Sequence, residues 1–564
     1  MKRFATLDIL RGASILGMIF LHLVDDLYDK SWIPDGMASH SMFDIVLLIT
    51  ALFFGSWAGL FLLVSATSNM VSMQGNLEKG MPVRSVVIKQ VVGGLVLLLF
   101  AFLAEGTLQY YALFQTIRDP PFDVTRMIWK GYTMETIHTI AYCMILNGIV
   151  QGILSMNSGH LKSKRNMIVY AILAIAVVAL TQPVWNFCKD VALANGWSTL
   201  AEPYPFGELH GRIVQSPGAN AGLLEYVGKF LLLPLGGQPE PVFPFLAVSF
   251  VGSIIGIAIT RKDVSRDWPK QGNFIGFLVI VAGAVIFVIG GIAGSWDLED
   301  DLTNVLLPLS KFSMFSAIYG GLNYGWLPWI CFITGGQICM TCICFRLIEH
   351  RGNSKVVAEK SKFIRKFGMI PFTFYTFHRI IAMAPLLLLS VIFGVDMTID
   401  VHNLNGWVAL GAIAVCLLFM YGLALLWERV DYIGSLEWMT GTIGAYLLGT
   451  SRKSEKRVPW YRWGARDQQA LFYNVDWVTL FEKGDNGGIE YRDSKLAMKM
   501  AIGGLFIPIG TMISFSLYKT AEKIEGRNKY SQRARVITII AAIINVAVIT
   551  TLIVLPFGIL GISF

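Results

Sequence analysis

Apolar runs long enough to span a membrane recur along this chain, and that recurrence restricts the fold more than any other property of the sequence. A helix needs about 20 predominantly apolar residues to cross the hydrocarbon core of a bilayer. Such runs fall near 6–25, 46–73, 88–114, 133–155, 167–187, 241–260, 273–295, 325–347, 367–393 and 406–427, with two more near 498–518 and 536–560. Of the 564 residues, 54% are hydrophobic and only 15% are charged, too few charges to coat a soluble surface, where about a quarter is usual. The expected fold is all-α: a polytopic membrane helix bundle with a ten-helix body at 1–450, a polar linker segment at 451–497 and a two-helix membrane tail at 498–564. Asp8 and Arg11 interrupt the first apolar run and no small-residue cleavage site follows, so the N-terminal segment reads as an uncleaved helix rather than a signal peptide. The short, glycine-rich stretch 435–450 reads as interfacial or re-entrant.

Lysine and arginine are retained on the cytoplasmic side of membrane proteins, whereas acidic loops cross more readily. The loop after the first helix carries Asp25, Asp26, Asp29 and Asp35 and is placed outside, as is the 188–240 loop. Loops containing Lys79 and Arg84, Lys162 and Lys164, Arg261 and Lys262, and Arg351 to Lys366 alternate with them and are placed in the cytoplasm, together with the N-terminus. This reading gives a multi-pass protein of the plasma membrane. The net charge of +8 is absorbed by loop anchoring, and nucleic acid is not an expected partner. The tail is left three roles: binding a partner, forming a homodimer, or extending the bundle. Six of the seven cysteines lie in apolar runs and only Cys188 is placed in a loop, so no disulfide framework is expected. Cys339, Cys342 and Cys344 have metal-like spacing, but in a membrane helix without partner cysteines packing is the better reading, and no metal is expected.

A charge in hydrocarbon costs about 2.5–3.5 kcal/mol even on the lenient insertion scale, so ionisable residues inside the runs are functional candidates. In the first helix Arg11 and His22 share one face, about 16 Å apart in rise, and Asp8 lies one turn below Arg11, where it can pair with it. The competing reading is a structural Asp–Arg clip and a snorkelling helix-end histidine. Glu135 and His138 stand at i, i+3 at the start of a later helix, where the carboxylate can fix the imidazole tautomer as a general base requires, or merely cap an interface. Glu105 and Gln109 lie toward an outer helix end, and His378 falls near mid-membrane. By depth, His22, Glu105, Glu135 and His138 belong to the middle or outer half. Asp8, Arg11, Lys89, Arg346, Lys362, Arg365 and Lys366 gather at the inner edge. The basic inner set suits a cytoplasmic ligand bearing phosphates, although loop anchoring alone accounts for any single lysine. The outer histidines and glutamates suit acid–base chemistry.

Several of these segments resemble the transmembrane acyltransferase superfamily, comprising the acyltransferase-3 family, the YeiB-like membrane proteins and heparan-α-glucosaminide N-acetyltransferase. LDILRGASILGMIFLH at 7–22 is similar to the first-helix signature and is the most specific match. FLLVSA at 61–66, ETIHTIAY at 135–142, PVFPFL at 241–246 and FGMIPFTFYTFH at 367–378 resemble later motifs, with Glu135 in place of Asp and Phe245 where Trp is common. IGSLEWM at 433–439 is similar to the closing motif of the YeiB-like branch but lacks its proline and the arginine that comes after it. The resemblance covers scattered motifs within 5–450 and does not reach the tail.

The resemblance implies transfer of an acyl group, acetyl first among them, from cytoplasmic acyl-CoA to an extracytoplasmic acceptor such as a glycan hydroxyl or amine or a lipid-linked acceptor. It makes His22 the general base or acyl acceptor, with His378 as a second family histidine and Glu135 and His138 assisting on the acceptor side. It makes Arg11, with Asp8 as partner, the inner anchor; Lys89 and Lys366 extend that basic site toward the acyl-CoA phosphates. A different class fits the same buried residues: a proton-coupled transporter or flippase using the glutamates and histidines as a relay. A lipid-linked glycosyltransferase built on Asp25, Asp26 and Asp29 is a third reading.

Overall fold

The computed structural model describes residues 2–29, 41–55, 58–109, 112–113, 122, 124–197, 217, 221–237, 240–261, 264–265, 267–292, 326–398, 402–447, 468–480, 491–505 and 508–559. Among the described residues, nine helices are long and apolar enough to cross a membrane. The protein is an all-α, multi-pass, membrane-embedded chain.

Two compact units form. The first comprises Met1–Lys30, Leu47–Arg346 and Val356–Val478; the second comprises Ser31–Val46, Leu347–Lys355 and Thr479–Phe564. The segment expected to link body and tail is thus divided at 478, and its residues 468–478 belong with the body.

The chain begins with β1 (Lys2–Arg3) and α1 (Ala5–Leu27), followed by α2 (Met42–Gly55), α3 (Ala58–Glu78) and α4 (Val83–Thr107). Of the span expected at 46–73, α2 covers the part up to Gly55 and α3 the part from Ala58; residues 56 and 57 lie outside the described residues. Next come α5 (Thr125–Lys130), α6 (Thr136–Ser155), α7 (Ser163–Ala194), α8 (Leu223–Gly236), α9 (Val242–Thr260) and α10 (Trp268–Ile292). Helix α7 runs through the position assigned to a loop, so Cys188 is a buried helical residue. Of the 188–240 region, most of 198–220 lies outside the described residues. The rest of the first unit consists of α11 (Trp326–Leu347, which ends just past its boundary), α12 (Ser354–Lys360), α13 (Lys362–Phe367), α14 (Pro371–Phe393), α15 (Gly406–Glu428), α16 (Leu436–Leu447), α17 (Gln468–Tyr473) and β2 (Asp476–Trp477). Helix α16 has 12 residues, about 18 Å of rise, short of a roughly 30 Å core. The stretch 435–450 does not cross as a helix.

Helix α9 is buried along most of its length and packs against α3 and α7, while α4 lies along α6. Ser253 of α9 donates to Asn147 of α6 at 3.0 Å, and Asn147 donates in turn to Ser249, so these buried polar groups satisfy one another.

The second unit is a three-helix cluster of α18 (Arg492–Gly504), α19 (Pro508–Glu525) and α20 (Lys529–Ile559). The span expected at 498–518 is shared between α18 and α19, so among the described residues the tail shows three helices where two were expected. Leu496, Ala497, Leu517, Tyr518 and Ala534 form its core. Ser514 and Thr538 share a 2.6 Å hydrogen bond inside it. Glu525 caps α18 by accepting from the Asp493 and Ser494 backbone N–H groups at 2.7 and 2.9 Å.

Candidate functional site

Helices α1 and α14 supply the centre of the site, and a close approach lower down brings them together. A Cβ added at Gly12 would lie 2.0 Å from the Ile364 carbonyl oxygen of α13, so only glycine lets α1 seat against the segment that leads into α14. The Arg-Gly of the first-helix motif therefore has a packing reason at its second residue. Glu437 fixes the start of α14: its carboxylate accepts from the Phe372 N–H at 2.6 Å and from the Thr373 hydroxyl at 2.6 Å. The IGSLEWM segment thus caps the helix that carries His378.

At the other end of the pair, Arg379 of α14 donates to Asp26 of α1 at 2.9 Å, both side chains being buried. The Asp26, Leu27 and Asp29 backbone also pairs with residues 402–404. Between these ties His22 and His378 meet. Nδ1 of His22 lies 3.0 Å from Nε2 of His378, with ring centroids 4.9 Å apart.

One further contact sets the protonation pattern of this dyad. Nδ1 of His378 lies 2.6 Å from the Tyr375 carbonyl oxygen, which can only accept, so that nitrogen carries hydrogen. In the neutral tautomer Nε2 of His378 is then an acceptor and Nδ1 of His22 must donate to it. This places the basic lone pair of the dyad on Nε2 of His22, with the second imidazole accepting from Nδ1–H of His22.

Tyr375 connects the dyad to the second predicted group. It interacts electrostatically with Glu105, Glu135 and Glu240. Glu105 interacts with Glu135 and Arg379 and pairs with Lys130 at 3.8 Å. His22 and His378 form one hydrogen-bonded pair and Glu135 and His138 another, and the link between them is the electrostatic interaction of Tyr375 with Glu135. The role expected of Glu135 is corrected. The backbone N–H of Glu135 donates to Nδ1 of His138 at 3.2 Å in a reciprocal cap of α6, so the peptide group rather than the carboxylate sets the His138 tautomer. Nδ1 accepts, Nε2 carries hydrogen, and that buried N–H has no hydrogen-bond partner among the described residues. The ring lies against Phe102, centroids 4.5 Å apart.

The inner residues are engaged chiefly with one another. Asp8 does not pair with Arg11. Arg3 reaches it at 3.0 Å and Arg365 at 3.6 Å, two partners arriving from outside α1 where a one-turn reach along the helix was expected. Lys366 donates to Glu428 at 2.6 Å and lies over the Phe472 ring, 3.8 Å from its centroid. Burial lowers the Lys366 ammonium from the usual lysine value, while its hydrogen bond to Glu428 and that carboxylate's charge raise it. Burial likewise lowers the Arg365 guanidinium against the pull of Asp8. The 468–478 segment covers this end. Arg365 lies 4.5 and 4.4 Å from the Phe472 and Trp477 ring centroids, and Val478 N–H donates to the Arg3 carbonyl at 2.9 Å, extending the β1–β2 pairing. Arg11 is half-buried and interacts electrostatically with Asp8, Arg3 and Glu437, forming no ion pair among the described residues. Lys89 lies early in α4, whose main neighbour is α6.

The residues that sequence reasoning misses are Tyr375, Asp26, Arg379, Lys130 and Glu437. Asp26 reads in the sequence as part of an acidic loop, and Tyr375 stands in a family-like motif without a role. Its i−3 spacing to His378 is the available signal for a carbonyl-to-imidazole bond. No protein-family model and no curated protein matches this chain.

Proposed function

We propose that the protein is an integral membrane acyltransferase that moves an acyl group, acetyl first among the candidates, from cytoplasmic acyl-CoA to an extracytoplasmic hydroxyl or amine. The observation that carries this reading is the His22–His378 dyad at 3.0 Å, with its tautomer set by the Tyr375 carbonyl. In this scheme Nε2 of His22 removes the proton of the acceptor as its oxygen or nitrogen attacks the thioester carbonyl carbon. The C–S bond breaks and the proton returns from His22 to the departing thiolate. His378 steadies the transient imidazolium, and Tyr375 holds His378 in register. Arg11, on the same face about 16 Å below, is the residue best disposed toward a phosphate of the donor, because Lys366 is committed to Glu428.

The test is release of free coenzyme A thiol from acetyl-CoA by the purified, detergent-solubilised protein supplied with glycan acceptors. His22→Ala and His378→Ala are expected to lower turnover at least ~100-fold with melting unchanged, and Arg11→Gln to raise KM for acetyl-CoA with little change in kcat. Full turnover in His22→Ala overturns the base assignment. The mutual electrostatic interaction of Glu105, Glu135 and Tyr375 favours one other reading, a proton-coupled transporter or flippase. Substrate movement driven by a pH gradient, with no acetyl-CoA consumption, would establish that reading instead.

A further inference from the structure

The second unit carries a group of charges that the acyl-transfer reading does not use. Lys519, Lys523, Arg527, Lys529, Arg533 and Arg535 surround the α19–α20 turn, and all six are exposed. None forms an ion pair among the described residues; Lys519 and Lys529 touch only the ring faces of Phe515 and Tyr530, at 4.1 and 5.1 Å. The three acids between 491 and 535 do not offset them. Asp493 is held by Arg351 at 2.7 Å, Glu525 caps α18, and Glu522 has a buried carboxylate oxygen.

The side chains next to the cations along each helix identify their partner. On α20, at about 100° per residue, Lys529, Arg533, Val536, Ile540 and Ile543 fall on one stripe roughly 80° wide. Val536, Ile540 and Ile543 are 56, 45 and 64% exposed. One helix face thus passes from ammonium and guanidinium groups to bare branched aliphatic side chains within about 21 Å of rise. Helix α19 has the same order in reverse, with Phe515 48% exposed and Lys519 and Lys523 nearer the turn. A soluble polyanion would match the charges but leave the aliphatic stripe in water; a bilayer surface matches both, with hydrocarbon against the isoleucines and headgroup phosphates at the turn.

We infer that the α19–α20 turn is a binding surface for anionic phospholipid headgroups, holding several at once by charge. No residue of the first unit contributes to this surface, so it is independent of the acyl-transfer reading. The experiment uses full-length protein, delipidated in detergent and offered phosphatidylglycerol or phosphatidylcholine, with bound lipid counted by native mass spectrometry. The expected result is preferential retention of phosphatidylglycerol, reduced about tenfold in K523E/R527E/R533E and by high salt, but kept in K79E/K162E/K164E, which reverses the same number of exposed loop cations elsewhere. Equal loss in the two triple variants, or retention unaffected by the first, overturns the inference, as does displacement of the lipid by millimolar inorganic phosphate. A melting temperature within a degree of the parent protein shows that the charge reversals left the fold intact.

Discussion

Replacing Asp26 by Asn tests whether a buried ion pair holds the two histidine-bearing helices together. Asp26 is fully buried and Arg379 nearly so, with 2.9 Å between nitrogen and oxygen. Charges about 4 Å apart interact by roughly 4 kcal/mol at an effective dielectric constant of 20, and breaking a buried pair from one side costs about 3–5 kcal/mol because the remaining charge is stranded. Asn preserves volume and some hydrogen bonding, so the loss in D26N measures the stranded guanidinium and not a cavity. At about 2 °C per kcal/mol, the low end for larger domains, its melting temperature should fall by about 6–10 °C, tracked by tryptophan fluorescence in detergent. The double variant D26N/R379M removes the stranded charge and should recover at least half of that loss. Asp26 is one turn beyond His22 and Arg379 is adjacent to His378, so if the proposed acyl transfer is the activity, D26N should lower it more than it lowers the folded fraction. Melting within a degree of the parent, or a double variant no better than the single, would refute the clamp.

Gly12→Ala places a methyl group 2.0 Å from a backbone oxygen, so α1 must shift away from α13; an overpacking cost of about 1–3 kcal/mol, read as a lower melting temperature, is expected. Glu437→Ala removes the acceptor from three donors at the start of α14 and should cost about 1–2 kcal/mol by the same measurement. Glu428→Gln leaves the Lys366 ammonium buried without its counter-charge. Burial already lowers Lys366, and removing Glu428 lowers it further, so the unfolded chain binds the extra proton across the window between the folded value and the ordinary lysine value. Stability then rises with pH through that window. The deficit of E428Q relative to the parent should shrink on going from neutral to alkaline pH, and a deficit flat with pH would show that Lys366 does not carry it.

The membrane class and most spans are legible because apolar length is a one-dimensional property of the sequence. The Arg11–His22 face is legible for the same kind of reason, since both residues lie on one helix. What joins distant segments is not. Asp26 and Arg379 stand 353 residues apart, and nothing in an acidic loop marks one aspartate as the partner of an arginine on a helix near residue 379. The Glu135–His138 spacing does correspond to one helical turn, but spacing cannot say that the peptide N–H reaches the imidazole before the carboxylate does. The 468–478 segment is hidden because polar composition reads as linker, whereas Phe472 and Trp477 pack over Arg365.

The depth at which charges sit separates two kinds of residue that composition treats alike. At the Asp8 end of α1 nearly every charge named has a partner within the protein: Asp8 has Arg3 and Arg365, and Lys366 has Glu428. Those residues hold the fold, and the donor phosphate of the proposed reaction would reach them only by exchanging with an existing ion pair. Toward the His22 end the contacts are organised around orientation instead. Tyr375 offers its carbonyl to His378, His378 aligns His22, and the Glu135 backbone aligns His138. Each imidazole has one nitrogen bonded within the protein, which sets its tautomer: Nε2 of His22 carries the lone pair and Nε2 of His138 carries the hydrogen. Two histidines held in opposite tautomeric senses are what the proposed proton removal from an acceptor, with a second group to hold that acceptor, would require.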